Sequence, residues 1–464
     1  MAFLIGGANS AADTGYDVDN SCRFNAGDSA YMTRTFGSAG NRRTWTFSTW
    51  CKRAKFGAQQ TLFGSSADGS NYHLFYWGSD ETLTHNFSGT TTSASGLFRD
   101  PSAWYHVVCA VDTTQGTAAN RVRLYVNGAE VGSGSYPDED AEMILNNNVR
   151  CDVGSSGAHF TSHMLGGYLA ETVFIDGTQY AASDFGEYDS DSPLIWKPKD
   201  VSGLTFGTNG FWFDYEDSGT LGNDANGGTD WTATNLAATD QASDSPTNNF
   251  CTINPLVVRI GRTAPTLSEG NLKGVHGDTG GNTPAWGTFL LTAGSWYWEV
   301  KVTTGNYSYI GIWQPEYDNG DVDDSLNGIV IYRQDGKKQA ETAATAADYG
   351  DSYTGGSDIV SVAVNCDTGT IWFAKNGTWQ ASATEAEIEA GTTTNAAYTG
   401  KSFSKGIIPS ISAYSGATHE YNFGSPPYAI SSGNADGNGY GNFEYSVPDG
   451  FLAVCTKNLG SDGG

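Results

Sequence analysis

Apolar and polar residues alternate with a period of two along several short runs of this chain, a pattern typical of half-buried β-strands. In the run 121–126, Val122, Leu124 and Val126 share one face. The run 296–302 alternates in the same way, with tryptophan and valine on one face. No run predicts an amphipathic helix longer than about three turns. The pattern therefore predicts an all-β protein.

Two of the predicted strands run directly into an Asn-Gly dipeptide, at Asn127-Gly128 and at Asn376-Gly377. Asn-Gly favours a two-residue hairpin because both central residues must take a positive φ, which Asn and Gly tolerate best. The two dipeptides lie about 250 residues apart in otherwise unrelated surroundings. We therefore predict two antiparallel β-sandwich domains of the jelly-roll type in tandem.

Changes in composition divide the chain into four parts. Residues 1–40 are mixed in character and are predicted to be an N-terminal segment that serves as an anchor or an oligomer contact. Strands at 41–190 are predicted to form the first sandwich, and 256–464 the second sandwich with a C-terminal extension. Residues 191–255 are rich in Asn, Asp, Gly and Thr but contain the aromatic island Phe211–Tyr215. They are predicted to be an irregular connector that docks on the first sandwich.

Composition and charge narrow the classes of partner. Aromatic residues make up 13% of the chain and there are 60 glycines, as expected for many short strands joined by tight turns. The formal net charge of -27 disfavours both nucleic acid and an anionic membrane surface. The negative charge has two interpretations. It keeps the protein soluble, or it reflects tolerance of high salt, which screens the repulsion between the charges. No stretch is long enough for a transmembrane helix, so no membrane insertion is expected.

The cysteines and the start of the chain indicate where the protein is made. There are seven cysteines and no CxxC pair, and Cys109 and Cys366 lie in or directly after apolar runs. We expect reduced thiols that act as small core residues. The run Met1–Gly7 lacks the basic region of a signal peptide, which predicts synthesis in a cytoplasm.

Four runs in the first half occur in an informative order: Trp45–Ser48, Trp104–Val108, Arg123–Gly128 and the strand that ends at Asp176-Gly177. Over about residues 20 to 190 the chain resembles the concanavalin A-like lectin/glucanase superfamily, close to laminin-G-like modules. Five runs in the second half, Trp296–Val300, Tyr309–Ile312, Asp358–Val364, Gly369–Gly377 and Tyr421–Gly424, resemble a SPRY (B30.2-type) domain over about residues 280 to 425. Both resemblances imply β-sandwiches.

The junction sequences carry a third resemblance. Ser21–Asn25, Trp196–Lys199, Gly207–Phe211, Asp244–Phe250 and Pro448–Phe451 are similar to virion-associated proteins of tailed bacteriophages that combine the same two domains. The resemblance implies a tail fibre, spike or surface fibre, located in the virion after synthesis in the host cytoplasm without a signal peptide. It also implies other virion proteins as partners, residues 1–40 as a virion anchor, and a homo-oligomer, with a trimer favoured.

The acidic clusters favour a protein that binds over one that catalyses. A jelly-roll glycoside hydrolase needs carboxylates that alternate along one cleft strand. The clusters at 138–142 and 321–324 follow Pro137 and Gly320 and are predicted to be solvated loops. We therefore predict no enzymatic activity, and a glycoside hydrolase is the less favoured alternative.

A calcium ion is the one cofactor that the sequence suggests. Asp318, Asp321 and Asp323 supply hard oxygen ligands in a glycine-containing loop, and Asp17 and Asp19 form a second option. Neither group matches the twelve-residue EF-hand pattern.

Two aromatic groups at strand ends are candidate ligand-binding sites. One is Tyr76 with Trp77; the other combines Trp313, Glu316, Tyr317 and Asp318. An exposed aromatic face beside carboxylates is typical of sugar recognition. Core packing of the aromatic rings is the alternative for both groups. The leading hypothesis is a phage protein that binds a host cell-surface glycan or other receptor, and the alternative is a purely structural capsid or tail decoration protein.

Overall fold

A computed structural model of the protein describes residues 4–5, 15–190, 192–259, 261–279, 281–305, 307–315, 329–340 and 345–462. The chain divides into two compact units. The N-terminal domain ends at Thr247, and the C-terminal domain begins at Asn248 and includes the strand Leu4–Ile5.

The strands up to residue 247 are two to ten residues long. In chain order they are β1 (Leu4–Ile5), β2 (Ser21–Phe24), β3 (Tyr31–Thr35), β4 (Thr44–Arg53), β5 (Gln60–Ser66), β6 (Tyr72–Trp77), β7 (Leu83–Phe87), β8 (Thr90–Ala94), β9 (Trp104–Asp112), β10 (Val122–Val126), β11 (Ala129–Glu130), β12 (Gly132–Gly134), β13 (Arg150–Val153), β14 (Gly167–Asp176), β15 (Gly186–Tyr188), β16 (Trp196–Pro198), β17 (Phe211–Phe213), β18 (Thr232–Thr234) and β19 (Gln241–Ala242).

The C-terminal domain is built in the same way. Its strands are β20 (Thr266–Ser268), β21 (Lys273–Val275), β22 (Thr283–Trp286), β23 (Phe289–Leu290), β24 (Ser295–Thr304), β25 (Tyr309–Trp313), β26 (Ile329–Arg333), β27 (Lys337–Ala340), β28 (Ala347–Asp348), β29 (Asp358–Asn365), β30 (Thr370–Lys375), β31 (Thr378–Trp379), β32 (Ile408–Ala413), β33 (Thr418–Asn422) and β34 (Leu452–Ala453). The α-helices of the described residues are α1 (Glu385–Glu389) and α2 (Thr456–Asp462), and neither is long and apolar enough to cross a membrane.

Two eight-stranded sheets form the sandwich of the N-terminal domain, and β15 and β16 form a separate two-stranded sheet. One has the strand order β11-β10-β9-β4-β14-β2-β19, with β17 also paired to β14, and the other has the order β12-β8-β7-β6-β5-β13-β3-β18. Apolar side chains from both sheets, among them Trp45, Phe63 and Phe174, meet in one buried cluster. Burial of this apolar area is the main force that holds the sandwich together.

The C-terminal domain repeats this arrangement with other strands. Its sheets have the orders β20-β21-β33-β24-β29-β30-β31, with β34 paired to β24, and β22-β32-β25-β26-β27-β28. Trp296, Trp298 and Val362 of the first sheet pack with Ile312 and Tyr332 of the second in one buried cluster. The prediction of an all-β fold with two tandem sandwiches is therefore confirmed.

Both Asn-Gly dipeptides form the predicted two-residue hairpins. Asn127 and Gly128 have φ values of 47° and 80°, and Asn376 and Gly377 have values of 49° and 76°. The flanking strands pair with Val126 opposite Ala129 and with Lys375 opposite Thr378. These positive φ angles are the geometry that the type I′ turn requires.

Part of the segment 1–40 belongs to the first sandwich. Strand β2 pairs with β14 and β19, and β3 pairs with β13 and β18, so this segment contributes to both sheets. The N-terminal domain therefore begins well before residue 41. Strands of four and five residues are too short to reveal their alternation in the sequence.

The connector docks on the first sandwich and contributes strands to it. Phe211 and Phe213 of β17 lie in the buried cluster together with Trp231. Strands β18 and β19 extend the two sheets. A buried ion pair joins Asp244 to Lys52 of β4 across 2.6 Å. The connector is thus more regular than predicted. Its strands are only two or three residues long, so the sequence pattern did not reveal them.

All seven cysteines are buried as free thiols: Cys22, Cys51, Cys109, Cys151, Cys251, Cys366 and Cys455. Burial raises the pKa of the Cys51 thiol to about 11 and that of Cys455 to about 12. The cysteines therefore pack as small neutral core residues, as the sequence predicted.

Candidate ligand-binding site

The structure places the first predicted aromatic pair largely inside the N-terminal domain. Trp77 is 0% exposed, and its ring lies 4.7 Å from the guanidinium carbon of Arg53 and 5.5 Å from the ring of Phe98. Tyr76 is half-buried on the other face of β6. Trp77 therefore offers no surface to a ligand and packs in the core of the domain. Sequence alternation could not distinguish the buried face from the exposed one.

Beneath Trp77 lies a buried ion pair that the sequence did not indicate. Arg53 and Glu81 approach to 2.7 Å, and Arg53 also donates to the Phe98 carbonyl oxygen at 2.6 Å. The second oxygen of Glu81 accepts from the Gly57 amide at 2.6 Å. The two buried charges are thus paired with each other inside the protein, while Nε of Arg53 makes no hydrogen bond to the described residues.

The second predicted group is divided between the core and residues outside the described part of the chain. Trp313 is 4% exposed and packs with its ring 5.2 Å from that of Trp286, in a cluster with Ile329 and Ile408. Trp313 thus packs on a buried apolar surface. Glu316, Tyr317 and Asp318 lie outside the described residues, so the ligand loop predicted for them stays a prediction.

The predicted calcium ligands Asp318, Asp321 and Asp323 also lie outside the described residues. Within the described ranges, no group of three or more His, Cys, Asp or Glu side chains could hold a metal ion. The calcium prediction is therefore untested.

The acidic loop at 138–142 forms ion pairs with three arginines. Arg43 approaches Asp140 and Glu142 to 3.4 Å each, Arg42 reaches Glu142 at 2.6 Å, and Arg121 reaches Glu139 at 3.1 Å. All these pairs are at least partly exposed, so each contributes little to stability. The pairing differs from the freely solvated loop that the sequence predicted.

A cleft of about 400 Å³ lies at one end of the six-stranded sheet in the C-terminal domain, within the size range of small-ligand sites. It is lined by Gly305, Tyr307, Tyr309, Arg333, Gln334, Asp335, Ser352, Tyr353 and Thr354. Three tyrosines and one ion pair therefore converge on a concave surface. This combination of aromatic faces with a few polar groups is typical of small-ligand sites.

Strand register brings the two central residues of the cleft together. Tyr309 opens β25, Arg333 ends β26, and the two are direct partners across the antiparallel ladder. The Arg333 guanidinium carbon consequently lies 5.2 Å from the centre of the Tyr309 ring. Such a cation–π contact restricts the rotamers of both side chains.

Arg333 is held by further contacts from neighbouring residues. Its Nε and Nη2 donate to the two carboxylate oxygens of Asp335 at 3.2 and 3.3 Å. Its Nη1 donates to Oε1 of Gln339 at 2.8 Å. The guanidinium is therefore fixed in the cleft wall, and its positive charge is locally balanced by Asp335.

Tyr307 is the most exposed aromatic residue of the cleft. Its side chain is 64% exposed, and its backbone has a φ of 48°, an uncommon conformation for a bulky residue. Its ring approaches the edge of the Tyr414 ring, with centroids 6.1 Å apart. An exposed aromatic ring held in a left-handed backbone conformation is a feature associated with ligand sites.

The floor of the cleft is joined by hydrogen bonds. The backbone N–H of Gln334 donates to the Ser308 carbonyl oxygen at 2.9 Å. The backbone N–H of Ser308 donates to the side-chain oxygen Oε1 of Gln334 at 3.1 Å. The buried hydroxyl oxygen of Tyr353 lies 2.8 Å from the Ser308 carbonyl oxygen and 2.9 Å from that of Tyr332, so its single hydrogen is shared between two acceptors. Burial raises the pKa of Tyr353 well above its ordinary value, so this hydroxyl remains a donor. The cleft is thus pre-organised.

Gly305 leaves room for the Gln334 side chain at one edge of the cleft. A Cβ atom on Gly305 would lie 2.7 Å from Nε2 of Gln334 and 3.2 Å from the Gly355 amide nitrogen. A larger residue would displace the Gln334 side chain that bonds to Ser308.

Two histidines are buried behind the cleft. His419 Nε2 lies 2.9 Å from the Ser308 hydroxyl oxygen, and the rings of His419 and His276 are 5.2 Å apart. Burial lowers the pKa of His276 to about 4, so both rings are neutral at physiological pH. They support the cleft from inside the domain and do not reach its surface.

Sequence reasoning missed this cleft, although one signal was present. The run Arg333-Gln334-Asp335-Gly336 places a charged pair around a turn that follows an apolar run, and Tyr307 and Tyr309 alternate ahead of another strand. Only the pairing of β25 with β26 shows that these residues meet.

Comparisons with known protein families assign a domain to each sandwich. Residues 25–178 match the family model described as the Concanavalin A-like lectin/glucanases superfamily, and residues 295–426 match the model of the SPRY domain. The chain therefore carries a concanavalin A-like, lectin-type domain followed by a SPRY domain, as the sequence predicted. A comparison with curated proteins finds no match.

Solved structures that match part of the chain include the SPRY domain of human HERC1, at 17% identity and a TM-score of 0.25, covering 32% of this chain and 87% of that one. A human SPRY domain matches at 16% identity and a TM-score of 0.27, covering 37% of this chain and 99% of that one. A heptameric SAP-like pentraxin from Limulus polyphemus matches at 14% identity and a TM-score of 0.27, covering 34% and 77%.

Proposed function

We propose that this protein is a non-enzymatic glycan-binding protein of a tailed-phage virion, in which the C-terminal cleft binds a cell-surface saccharide of the host. The observation that carries the proposal is the combination of Tyr307, Tyr309 and the Arg333–Asp335 pair in one cleft. An exposed aromatic ring packs against the apolar face of a sugar ring, and planar charged groups exchange hydrogen bonds with its hydroxyls.

The placement in a virion rests on the sequences at the domain junctions and on the order of the two domains. A lectin-type domain followed by a SPRY domain is a binding architecture, and the junction runs resemble those of phage virion proteins. A tail fibre, spike or surface fibre would present such domains to the host. We propose a homotrimer as the assembled form, and light scattering of the purified full-length protein would measure its mass.

The glycan part of the proposal is tested by binding of the labelled protein to immobilised bacterial surface polysaccharides. Tyr307→Ala should abolish binding, because it removes the exposed aromatic ring. Tyr188→Ala is the matched control, since Tyr188 is also an exposed tyrosine, at 51%, but lies in the N-terminal domain. Equal binding by the two variants would show that the cleft is not the ligand site.

The virion part is tested by immunogold electron microscopy with antibodies raised against the purified protein. Labelling of fibres or spikes on phage particles supports host attachment. Labelling of the capsid or tail surface, together with absent polysaccharide binding, would favour the decoration protein instead. Release of reducing sugar from a bound polysaccharide would contradict the absence of enzymatic activity.

A further inference from the structure

The charges around the cleft select among classes of saccharide. Arg333 and Asp335 are the charged residues among those that line it. They form a doubly hydrogen-bonded pair, so the lining carries no net charge. Lys375, which donates to the carbonyl of the lining residue Ser352 at 2.9 Å, lies 3.6 Å from Asp358, whose carboxylate accepts from the backbone amide of Thr354 at the cleft wall. No surplus positive charge is therefore available at these residues to bind an anion.

Resting on the proposed function, we propose that the cleft takes a neutral saccharide and discriminates against acidic sugars such as uronates. A carboxylate placed near Arg333 would also lie near the carboxylate of Asp335, which is about half exposed. Like charges at such short range repel each other and weaken binding. The overall charge of -27 adds to this repulsion at longer range.

The hydrogen-bonding capacity of the pair suits hydroxyl groups. A guanidinium has five N–H donors, and Arg333 uses one on Nε, one on Nη1 and one on Nη2. One N–H on each terminal nitrogen remains for a ligand. The carboxylate of Asp335 keeps lone pairs that can accept. Neighbouring hydroxyls of a sugar can accept from Arg333 and donate to Asp335 at once, whereas an ionised carboxylate group has no hydrogen to donate to Asp335.

The aromatic residues supply the apolar half of the site. One face of Tyr309 is covered by the Arg333 guanidinium, whereas most of the Tyr307 ring is exposed. The Tyr307 ring is therefore the platform on which the C–H face of a sugar would pack. The space of about 400 Å³ accommodates one or two sugar units.

The test compares matched neutral and acidic trisaccharides that differ only in oxidation at C6. We would titrate the full-length protein with galactosyl, glucosyl and mannosyl trisaccharides and with their uronic acid counterparts, using calorimetry and saturation-transfer NMR. In any pair that binds, the neutral member should bind about tenfold more tightly or better. Raising the salt concentration should narrow this difference, because the discrimination is electrostatic.

Two variants test the roles of individual residues. Asp335→Asn should raise the affinity for the acidic member and reduce the preference about tenfold, since it leaves Arg333 with an unbalanced charge. Tyr307→Ala should abolish binding of both members, and Tyr188→Ala should change neither. Circular dichroism and thermal unfolding of each variant would verify that it is folded.

The outcomes separate this inference from the proposed function. Tighter binding of the acidic member, or an unchanged preference in folded Asp335→Asn, would overturn the neutral-sugar inference and leave glycan binding standing. Failure of every trisaccharide to bind the wild-type protein would overturn both. If a neutral peptide binds at this cleft and no saccharide does, both the neutral-sugar inference and the proposed glycan binding are overturned. That result would indicate a protein receptor.

Discussion

The indole Nε1 of Trp196 donates a hydrogen bond of 3.0 Å to Nδ1 of His106, which is buried on β9. An indole N–H can only donate, so Nδ1 is unprotonated and the imidazole proton lies on Nε2. That nitrogen lies 2.9 Å from the Ser48 hydroxyl oxygen, to which it donates. Burial lowers the pKa of His106 to about 3 and keeps the ring neutral. These two hydrogen bonds join the central strands β4 and β9 to Trp196, which lies in the segment 191–255 that was predicted to be a connector.

Loss of this bond should destabilise the N-terminal domain. Trp196→Phe leaves His106 Nδ1 buried without a donor, which should cost about 1–3 kcal/mol of unfolding free energy. A double-mutant cycle with His106→Phe, measured by urea unfolding, should give a clear coupling energy. The control cycle pairs His106→Phe with Trp231→Phe, because the Trp231 indole nitrogen makes no hydrogen bond in the described structure. Equal coupling in both cycles would contradict the role of the bond.

The buried histidines should make the N-terminal domain sensitive to acid. His73 and His85 lie 2.7 Å apart between their Nε2 atoms, and burial lowers the pKa of His85 to about 3. The unfolded chain, with an ordinary histidine pKa near 6.5, therefore binds more protons between about pH 6.5 and 3. Stability is fully present above this window and is lost as the pH falls through it, by about 1.4 kcal/mol per pH unit for one histidine.

Urea unfolding across that pH range would measure the slope. His85→Phe should flatten it by removing one buried titrating group, and His159→Phe, which changes an exposed histidine, is the control. A slope that is the same in wild type and His85→Phe would count against the prediction.

Glu171 should destabilise the N-terminal domain at high pH. This carboxyl lies at a β-bulge with a φ of 46° and accepts from the Tyr16 hydroxyl and the Trp212 indole at 3.1 Å each. Burial raises its pKa to about 8, and nearby carboxylates add to the shift. The folded state therefore keeps a proton that the unfolded state has lost between about pH 4.5 and 8, so stability falls as the pH rises through this window.

Glu171→Gln removes that titration and keeps an oxygen that can accept both hydrogen bonds. The variant should gain stability relative to wild type as the pH rises, by at most about 1.4 kcal/mol per pH unit, with little difference at about pH 5. Glu130→Gln, at an exposed position on β11, is the control. The measurement is the unfolding free energy in urea at several pH values, and a pH-independent difference would refute the assignment.

The hairpin glycines should resist substitution. Gly128 and Gly377 have φ values of 80° and 76°, and a Cβ atom would contact the Trp196 indole in the first case and the Tyr445 ring in the second. Changing either to alanine should cost about 1–3 kcal/mol. Gly116→Ala is the matched control, because its φ is not positive and no atom lies within 4 Å of its Cβ position. Thermal unfolding would compare the three variants.

The sequence predicted the hairpins residue by residue because their geometry is local. Asn127-Gly128 and Asn376-Gly377 determine the turn and, through it, the register of the adjoining strands. The sandwiches followed from alternation along long strands such as β24. Strands β17, β18 and β19 could not be predicted, since two or three residues carry no periodic signal and form only against an existing sheet.

The candidate site was harder to predict because it depends on contacts distant in sequence. Tyr309 and Arg333 are brought together by strand pairing, and Tyr353 joins them from a later segment. Trp77 and Trp313 were chosen from the sequence as aromatic residues at strand ends. An aromatic residue at that position can close the core as well as face a ligand, and only packing distinguishes the two.

The separate burial of seven thiols has a consequence for the response of the protein to oxidants. No covalent cross-link contributes to either fold, and no thiol is positioned on the surface for an oxidant. The native protein should therefore keep the same covalent bonds in reducing and in oxidising solution. We expect a thiol-specific reagent to leave the native protein unlabelled and to modify all seven cysteines only after denaturation.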